Sequence, residues 1–251
     1  MIFETEVELM KQLRHKNIIQ LHGYHTKSTY LNESLESSKT YSIILEYASK
    51  GELFDYISKT GSFDDKICRH YFHQMVDGLE HMWSKNIKHC DIKLDNLLLD
   101  QDYVLKYIDF GWSTKQKYFT EAIGTSVYHA PESFLTGEYE TKPMDIFSLG
   151  VVLFIMFTQV KPFKIAKSDD KLYKAFVSNN NKFWLHFDKT LKNKKISQSF
   201  KELINTMLSP HPENRPYIED IRRSDWYNES LPDEEEVITE LEHRSSILDQ
   251  M

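Results

Sequence analysis

The chain has 251 residues, 40% of them hydrophobic, so it can bury the core of one large domain or two small ones. Its net charge of −7 argues against a nucleic-acid partner, and its two cysteines predict no disulfide framework, a reducing compartment and a cytoplasmic location. The longest apolar run, Ile146–Phe157, is too short to cross a bilayer, and no basic-then-apolar leader follows Met1. We therefore expect a soluble globular protein without a membrane partner.

The first fifty residues predict one helix and two strands. Apolar residues recur at helical spacing over residues 3–14, which indicates an amphipathic helix. We expect strands over residues 18–25 and 41–47, where the composition is apolar, β-branched and aromatic. The intervening residues 27–39 are polar and rich in serine, and they predict a loop.

Two long helices are predicted farther along the chain. Residues 64–86 have a helical apolar stripe, and Pro143–Phe157 is apolar nearly all round, which is typical of a buried central helix. Asp145 stands at the start of that second helix and needs a partner, because an isolated buried carboxylate is costly. Residues 179–197 are rich in asparagine, lysine and aromatics, and we interpret them as a loop-rich insertion.

The C-terminal residues 232–251 allow two interpretations. Asp233 can cap a helix with acidic residues in its first turn and a narrow apolar stripe behind it. Such a helix would serve as a docking or autoinhibitory element, with a partner bound through the tail. The alternative is a solvated or frayed tail.

Residues 87–111, IKHCDIKLDNLLLDQDYVLKYIDFG, carry the chemistry. Two short apolar runs, 97–99 and 104–108, are separated by polar residues and predict a β-hairpin. A hairpin brings its outer ends together, so Asp91 and Asn96 on one side should approach Asp109 on the other. Two acids and an amide around one point suit oxygen coordination of Mg²⁺.

This stretch resembles the H-R-D-x-x-x-x-N and D-F-G motifs of the eukaryotic protein kinases. The resemblance implies that Asp91 orients and deprotonates the acceptor hydroxyl and that Lys93 contacts the transferred phosphate of ATP. It also implies that Asn96 and Asp109 hold Mg²⁺. Residues 124–132, GTSVYHAPE, resemble the end of the kinase activation segment, and Thr125 there implies a serine or threonine acceptor on a protein substrate.

The same resemblance implies a nucleotide-binding hinge after the strand at 41–47. An extended hinge leaves backbone N–H and C=O groups free for the adenine edge. Residues 51–54 and 91–93 look most like the calcium/calmodulin-dependent and SNF1-type kinases. The residues implied at the nucleotide are Glu46 and Ala48 in the hinge, Glu52 at the ribose, Leu98 beneath adenine, Leu45 as gatekeeper and Glu6 as the αC glutamate.

Three further positions match structural positions of the family. Asp145 would accept hydrogen bonds from the catalytic-loop backbone. Arg215, in a segment similar to the family's D-P-x-x-R-P, would pair with Glu132 and hold the end of the activation segment. Trp226 matches the tryptophan that ends the domain.

The chain departs from the family at its N-terminus. A G-x-G-x-x-G loop is absent, because no two of the eight glycines stand closer than ten residues. Only five residues precede Glu6 and the first lysine is Lys11, so the strand lysine that pairs with the αC glutamate is also absent. We expect the family domain to begin before Met1, and this chain alone to bind nucleotide weakly and turn over slowly.

A second departure is Cys90, which replaces the arginine before the catalytic aspartate. In the family that arginine binds a phosphate on the activation segment, and cysteine offers neither its charge nor its donors. Glu121 lies near the usual phosphorylation site. Our hypothesis is that loop phosphorylation is not the activating switch, although Thr114, Tyr118 and Thr120 are candidate targets.

Together these observations predict an α+β, kinase-like bilobal fold with a truncated small β lobe and a mainly helical large lobe. Residues 1–47 would form the partial small lobe, 48–227 the large lobe and 228–251 an acidic C-terminal tail. The predicted function is a protein serine/threonine kinase using ATP and Mg²⁺, as a fragment of a complete kinase. The alternative is a pseudokinase that binds or scaffolds. A metal-dependent phosphatase or nuclease would need a denser acidic or histidine cluster than this chain has.

Overall fold

The computed structural model describes residues 2–31, 37–120, 125–191 and 194–251. A small region of one helix and two strands comes first in the chain, and a larger, mainly helical region follows it. The elements are α1 (Ile2–Met10), β1 (Leu21–Leu31), β2 (Ser37–Leu45), β3 (Gly51–Glu52), α2 (Leu53–Thr60), α3 (Asp65–Ser84), β4 (Leu97–Leu99), β5 (Leu105–Tyr107), β6 (Tyr118–Phe119), β7 (Tyr139–Glu140), α4 (Thr141–Thr158), α5 (Lys171–Ser178), α6 (Asn180–Thr190), α7 (Gln198–Met207), α8 (Ile218–Arg223) and α9 (Glu234–Leu248).

The small lobe consists of α1 and the antiparallel pair β1–β2, which runs from Leu21 opposite Leu45 to Leu31 opposite Ser37. The predicted loop at 27–39 is wrong for residues 27–31 and 37–39, which extend the two strands. The sequence of these residues lacks the alternation of apolar and polar residues that marks a strand, so it resembles a loop. Helix α1 ends at Met10, earlier than predicted, because Gln12 and Leu13 donate to carbonyls three residues back and tighten the last turn.

The catalytic segment folds as the predicted hairpin. Strands β4 and β5 are antiparallel, with Leu97 opposite Tyr107, and β3 adds a third strand with Glu52 opposite Leu98. The Asp100 carboxylate closes the turn by accepting the N–H groups of Asp102 and Val104. The hairpin therefore brings the loop before β4 next to the residues after β5.

Helix α4 is the centre of the large lobe, as its apolar sequence predicts. By length and composition its 18 residues could cross a membrane, but 89% of that span is buried inside the fold. Helix α3 packs against it and matches the predicted helix closely. The buried α4 supplies a fixed base from which Asp145 reaches the catalytic loop.

Two predictions about the C-terminal third are corrected. Residues 180–190 form α6 rather than a loop, because Phe183, Trp184 and Phe187 pack on Phe154 of α4. The frayed tail is also wrong. Residues 234–248 form α9, whose Asp233 cap accepts the Glu236 N–H and whose buried face packs against α2.

Candidate active site

Asp91 lies at the centre of a buried polar cluster on the loop before β4. Its Oδ2 is 2.8 Å from Lys93 Nζ and 3.1 Å from Asn96 Nδ2. The Thr125 N–H donates to Asp91 Oδ1 at 3.0 Å, and Lys93 Nζ donates to Thr125 Oγ1 at 3.2 Å. The structure thus brings together the four residues that the sequence predicts to be catalytic, and it fixes Asp91 in one orientation.

Asp145, on α4, fixes the backbone of this loop through hydrogen bonds. The buried carboxylate accepts the N–H of Cys90 at 2.8 Å and that of His89 at 3.1 Å, as the resemblance implied. Trp83 Nε1 donates a third hydrogen bond, at 3.1 Å. Burial raises the pKa of Asp145, and the Cys90 hydrogen bond opposes that rise. The three donors replace the water that the carboxylate loses.

His89 connects the loop with the segment after β5. Its Nε2 lies 3.1 Å from the Ile108 carbonyl oxygen, and its ring is 5.3 Å from that of Phe110. Burial lowers the pKa of His89, which favours the neutral imidazole. The Ile108 N–H also donates to the Asn96 carbonyl at 3.0 Å. Asp109 therefore follows directly on a residue that is bonded to Asn96.

The oxygen atoms of Asn96 and Asp109 fit a hard divalent cation. The Asn96 amide nitrogen is used by Asp91, which leaves its Oδ1 as a ligand. Asp109 is exposed, with φ of 60°, and one of its oxygens accepts only the Gly111 N–H. The part of the chain that the structure describes contains no cluster of three or more histidines, cysteines or acids that could hold a metal. The two residues would share Mg²⁺ with substrate phosphate and water.

The predicted hinge residues Glu46 and Ala48 differ in which groups they leave free for a nucleotide. The Glu46 carboxylate is 2.7 Å from Lys106 Nζ and accepts the Gln20 N–H at 3.1 Å, so its side chain serves the fold. The Glu46 N–H donates to the Gln20 carbonyl at 2.9 Å, so the backbone carbonyl of Glu46 is the group left for a nucleotide. Ala48 N–H has no protein acceptor among the described residues, as the hinge prediction requires. Leu45, the predicted gatekeeper, is 37% exposed.

Leu98 and Glu52 lie beside this hinge. They are paired across β3 and β4, which puts the predicted floor and ribose positions next to each other. Partial burial raises the pKa of the Glu52 carboxyl, and the nearby Asp55 and Asp95 add to the rise. The strand pairing therefore keeps both residues side by side.

Glu132 and Arg215 form the predicted ion pair. The two guanidinium nitrogens lie 2.6 and 2.7 Å from the two carboxylate oxygens, a bidentate geometry. Arg215 also donates to the backbone carbonyls of Ser209 and Pro143. The pair joins the end of the activation segment to α4 and to the segment before α8.

A family model for the protein kinase domain matches residues 2–227. The chain belongs to the protein kinase family. It is 33% identical over 243 residues to CBL-interacting protein kinase 26 of Oryza sativa subsp. japonica, covering 90% of this chain and 43% of that protein. It is 34% identical over 231 residues to CBL-interacting serine/threonine-protein kinase 8 of Arabidopsis thaliana, covering 89% and 47%. Aurora kinase of Eremothecium gossypii is 29% identical over 233 residues, covering 92% and 58%. The chain thus spans less than half of the first two relatives.

As in the sequence prediction, the αC glutamate of this kinase domain has no lysine partner among the described residues. Glu6 instead accepts the backbone N–H of Phe110 and lies close to Asp109. Burial raises the pKa of the Glu6 carboxyl, and the Asp109 charge raises it further. Two carboxylates therefore meet where other kinases have a cation between the nucleotide and αC.

Cys90 is buried, and burial raises the pKa of its thiol, so it presents no charge to the activation segment. That segment is held by other means. Strand β6 pairs with β7, Lys117 lies 2.8 Å from Glu140, and Thr141 Oγ1 donates to the Gln116 carbonyl. Glu121 and Gly124, named from the sequence, lie outside the described residues.

Two structural side chains of this site were missed from the sequence. Trp83, the third donor to Asp145, lies on α3 and gives no signal beyond helical spacing. Lys106, which bonds Glu46, also lies 3.4 Å from Asp100. The sequence indicated Lys106 only by placing a charged residue in an otherwise apolar strand. Such a residue needs a partner when it is buried.

Proposed function

We propose that this chain is a protein serine/threonine kinase domain that transfers the γ-phosphate of ATP to serine or threonine hydroxyls of protein substrates in the cytoplasm. The observation that carries the proposal is the closed set of hydrogen bonds among Asp91, Lys93, Asn96 and Thr125. A surface acid that only caps a turn would not gather an ammonium and an amide from its own loop and a threonine from the activation segment.

Each residue of this cluster has its own role in the proposed phosphate transfer. Asp91 accepts the proton of the substrate hydroxyl as the hydroxyl oxygen forms its bond to the γ-phosphorus and the bond from that phosphorus to the bridging oxygen breaks, releasing ADP. Lys93 supplies positive charge beside the transferred group, and Thr125 keeps both side chains in position. Mg²⁺ held by Asn96 and Asp109 would neutralise phosphate charge when bound.

A pseudokinase is the second candidate, and the observation that favours it is Glu6. In the described part of the chain, no lysine lies beside Glu6 of α1. Asp109 therefore has the negative charge of Glu6 as its neighbour, rather than a glutamate neutralised by a lysine. The chain would then bind nucleotide weakly and act as a binding or scaffolding module. The retained catalytic cluster favours the kinase.

Calorimetric titration of the purified chain with ATP, with and without Mg²⁺, tests the nucleotide site. We expect magnesium-dependent binding that Asp109→Asn abolishes, because the carboxylate is the one charged metal ligand proposed. Phosphorylation of a mixed protein substrate should then occur and be lost in Asp91→Asn, which leaves the binding isotherm intact. Binding without turnover would favour the pseudokinase, and no binding at millimolar ATP would contradict the nucleotide site in this chain.

A further inference from the structure

A groove on the large lobe lies outside the Asp91 cluster and has no role in the chemistry above. It has a volume of about 490 Å³ and runs between the start of α4, β7 and the segment before α8. Its apolar surface comes from Trp83, Tyr118, Tyr139, Ile146 and Tyr217. We call it the α4 groove. Tyr217 is 74% exposed, so its ring is open to a ligand at the edge of the groove, whereas the Lys117 Nζ already lies 4.9 Å from the centroid of the Tyr118 ring.

The charges of the α4 groove are mostly acidic. Four glutamates line it, against one lysine and one arginine. Arg215 is already paired with Glu132, and Glu140 is already paired with Lys117. Lys142 lies over the Trp83 ring, with its Nζ 5.0 Å from the ring centroid.

Two glutamates of the groove keep their negative charge uncompensated. Neither Glu138 nor Glu213 has a lysine or arginine partner in the described part of the chain. The contact of Glu213 is His211, at 3.9 Å, and both of those side chains are largely exposed. Aromatic rings beside free carboxylates recognise a guanidinium or ammonium, which stacks on the rings and bonds the acids. The same charges repel anionic ligands.

We propose that the α4 groove docks an extended basic peptide segment of a protein substrate, with one arginine side chain seated against the exposed Tyr217 ring and arginines bonded by Glu138 and Glu213. That the bound peptide belongs to a substrate rests on the proposed kinase function, whereas the binding of a basic peptide does not. Charge complementarity selects this occupant over a second copy of the chain, because a molecule of net charge −7 approaching an acidic groove is repelled. Trp83 belongs to the groove and donates to Asp145, which accepts the N–H groups of His89 and Cys90, so the groove is joined to the catalytic loop through Asp145.

The test uses fluorescence anisotropy with a labelled peptide in which arginines flank a central leucine and phenylalanine, at physiological salt and without ATP. A matched peptide carries glutamate in place of every arginine. The variant chain combines Glu138→Gln with Glu213→Gln. The control chain combines Glu234→Gln with Glu242→Gln, which removes the same net charge from α9, an element that contributes no residue to the groove.

We expect the arginine peptide to bind the parent chain and the glutamate peptide not to bind. The groove variant should weaken binding by about tenfold, since two charge-assisted contacts are lost, while the α9 control stays close to the parent. Tyr217→Ala should weaken binding as well, because a stacking surface is removed without changing charge. Equal weakening in both charge variants would overturn the proposal in favour of diffuse electrostatic attraction, and concentration-dependent dimerisation through the groove would overturn it in favour of self-association.

Phosphorylation of a serine appended to each peptide is measured separately. A lower KM for the arginine version, lost in the groove variant, supports docking of substrates. Specific peptide binding without any phosphate transfer would contradict the proposed kinase function and leave the peptide site intact. Phosphorylation with equal KM for both peptides would overturn the docking proposal and leave the kinase function intact.

Discussion

Asp145 determines the shape of the catalytic loop because it satisfies two successive backbone N–H groups at a strained position. Cys90 has φ of 63°, in the left-handed region that costs a non-glycine residue about 1–2 kcal/mol. The hydrogen bonds from His89 and Cys90 to the carboxylate offset that cost. The turn directs the Asp91 side chain toward Lys93 and Thr125 rather than toward Asp145.

Trp83→Phe tests how much of that support comes from the indole. The change removes the Nε1–H donor and keeps an aromatic ring, so Asp145 Oδ2 retains only the His89 N–H. We expect the free energy of unfolding in urea to fall by about 1–2 kcal/mol, the range for losing a hydrogen bond to a buried charged group. Trp112→Phe is the control, since Trp112 is 44% exposed and should change stability little. Equal effects in both variants would mean that the indole only packs.

The sequence predicts the Asp145 interaction but not its third donor, and the reason is physical. A carboxylate at the start of an all-apolar helix must have partners, so its role follows from the cost of burial. Trp83 lies sixty-two residues earlier on α3, and helical periodicity says which face is buried but not which polar atom it meets. In the Asp91 cluster, Asn96 was predictable from the spacing around the hairpin, and Lys93 and Thr125 from the resemblance to the kinase motifs. The Glu46–Lys106 pair, in contrast, depends on the register of β5 against the hinge.

At the scale of elements, the apolar helices α3 and α4 were predicted well and the polar elements were not. Strands β1 and β2 extend through serine- and threonine-rich sequence that lacks the alternation of apolar and polar residues typical of a strand. Helix α9 has a narrow apolar stripe, and what fixes it is Arg244, a residue whose sequence context resembles a solvated surface. Arg244 donates to Thr60 Oγ1, to the Gly61 carbonyl at 2.6 Å and to the Ser62 carbonyl at 3.0 Å.

Arg244→Met tests whether this one side chain attaches α9 to the end of α2. The methionine keeps much of the apolar stem but leaves two partly buried carbonyls without their charged donor, so we expect a loss of about 2–3 kcal/mol and faster amide hydrogen exchange throughout residues 234–248. Lys66→Met is the control, because the exposed Lys66–Glu236 pair also joins α9 to the lobe but should contribute less than about 1 kcal/mol. Comparable losses of stability in the two variants would show that the Lys66–Glu236 pair holds α9 as strongly as Arg244 does.

For the molecule as a whole, neutral histidines set the acid limit of stability. Burial is the first cause that lowers the pKa of five of them: His15, His70, His73, His81 and His89. Because the folded pKa lies below the unfolded value of 6.5, the unfolded chain binds protons first as the pH falls. The stability is complete above pH 6.5 and is lost as the pH falls toward the folded pKa values. The raised pKa of Asp145 acts in the opposite direction, because between 3.8 and its raised folded pKa the folded chain binds the extra proton and stability falls as the pH rises.

His70 provides the test because its pKa is lowered from 6.5 to about 4, mainly by burial and then by the nearby charges of His73 and Lys16. Between pH 7 and pH 5 this residue alone should account for about 2 kcal/mol of lost stability. His70→Gln keeps a polar group beside Gln74, which lies 2.8 Å from the imidazole, and removes the titration. Urea unfolding measured across that pH range should therefore show a shallower decline in the variant. His243→Gln, at an exposed position of α9, should reproduce the decline of the parent chain. A parent-like slope in His70→Gln would mean that its imidazole is not protonated preferentially in the unfolded chain, and the acid sensitivity would then belong to the other four histidines.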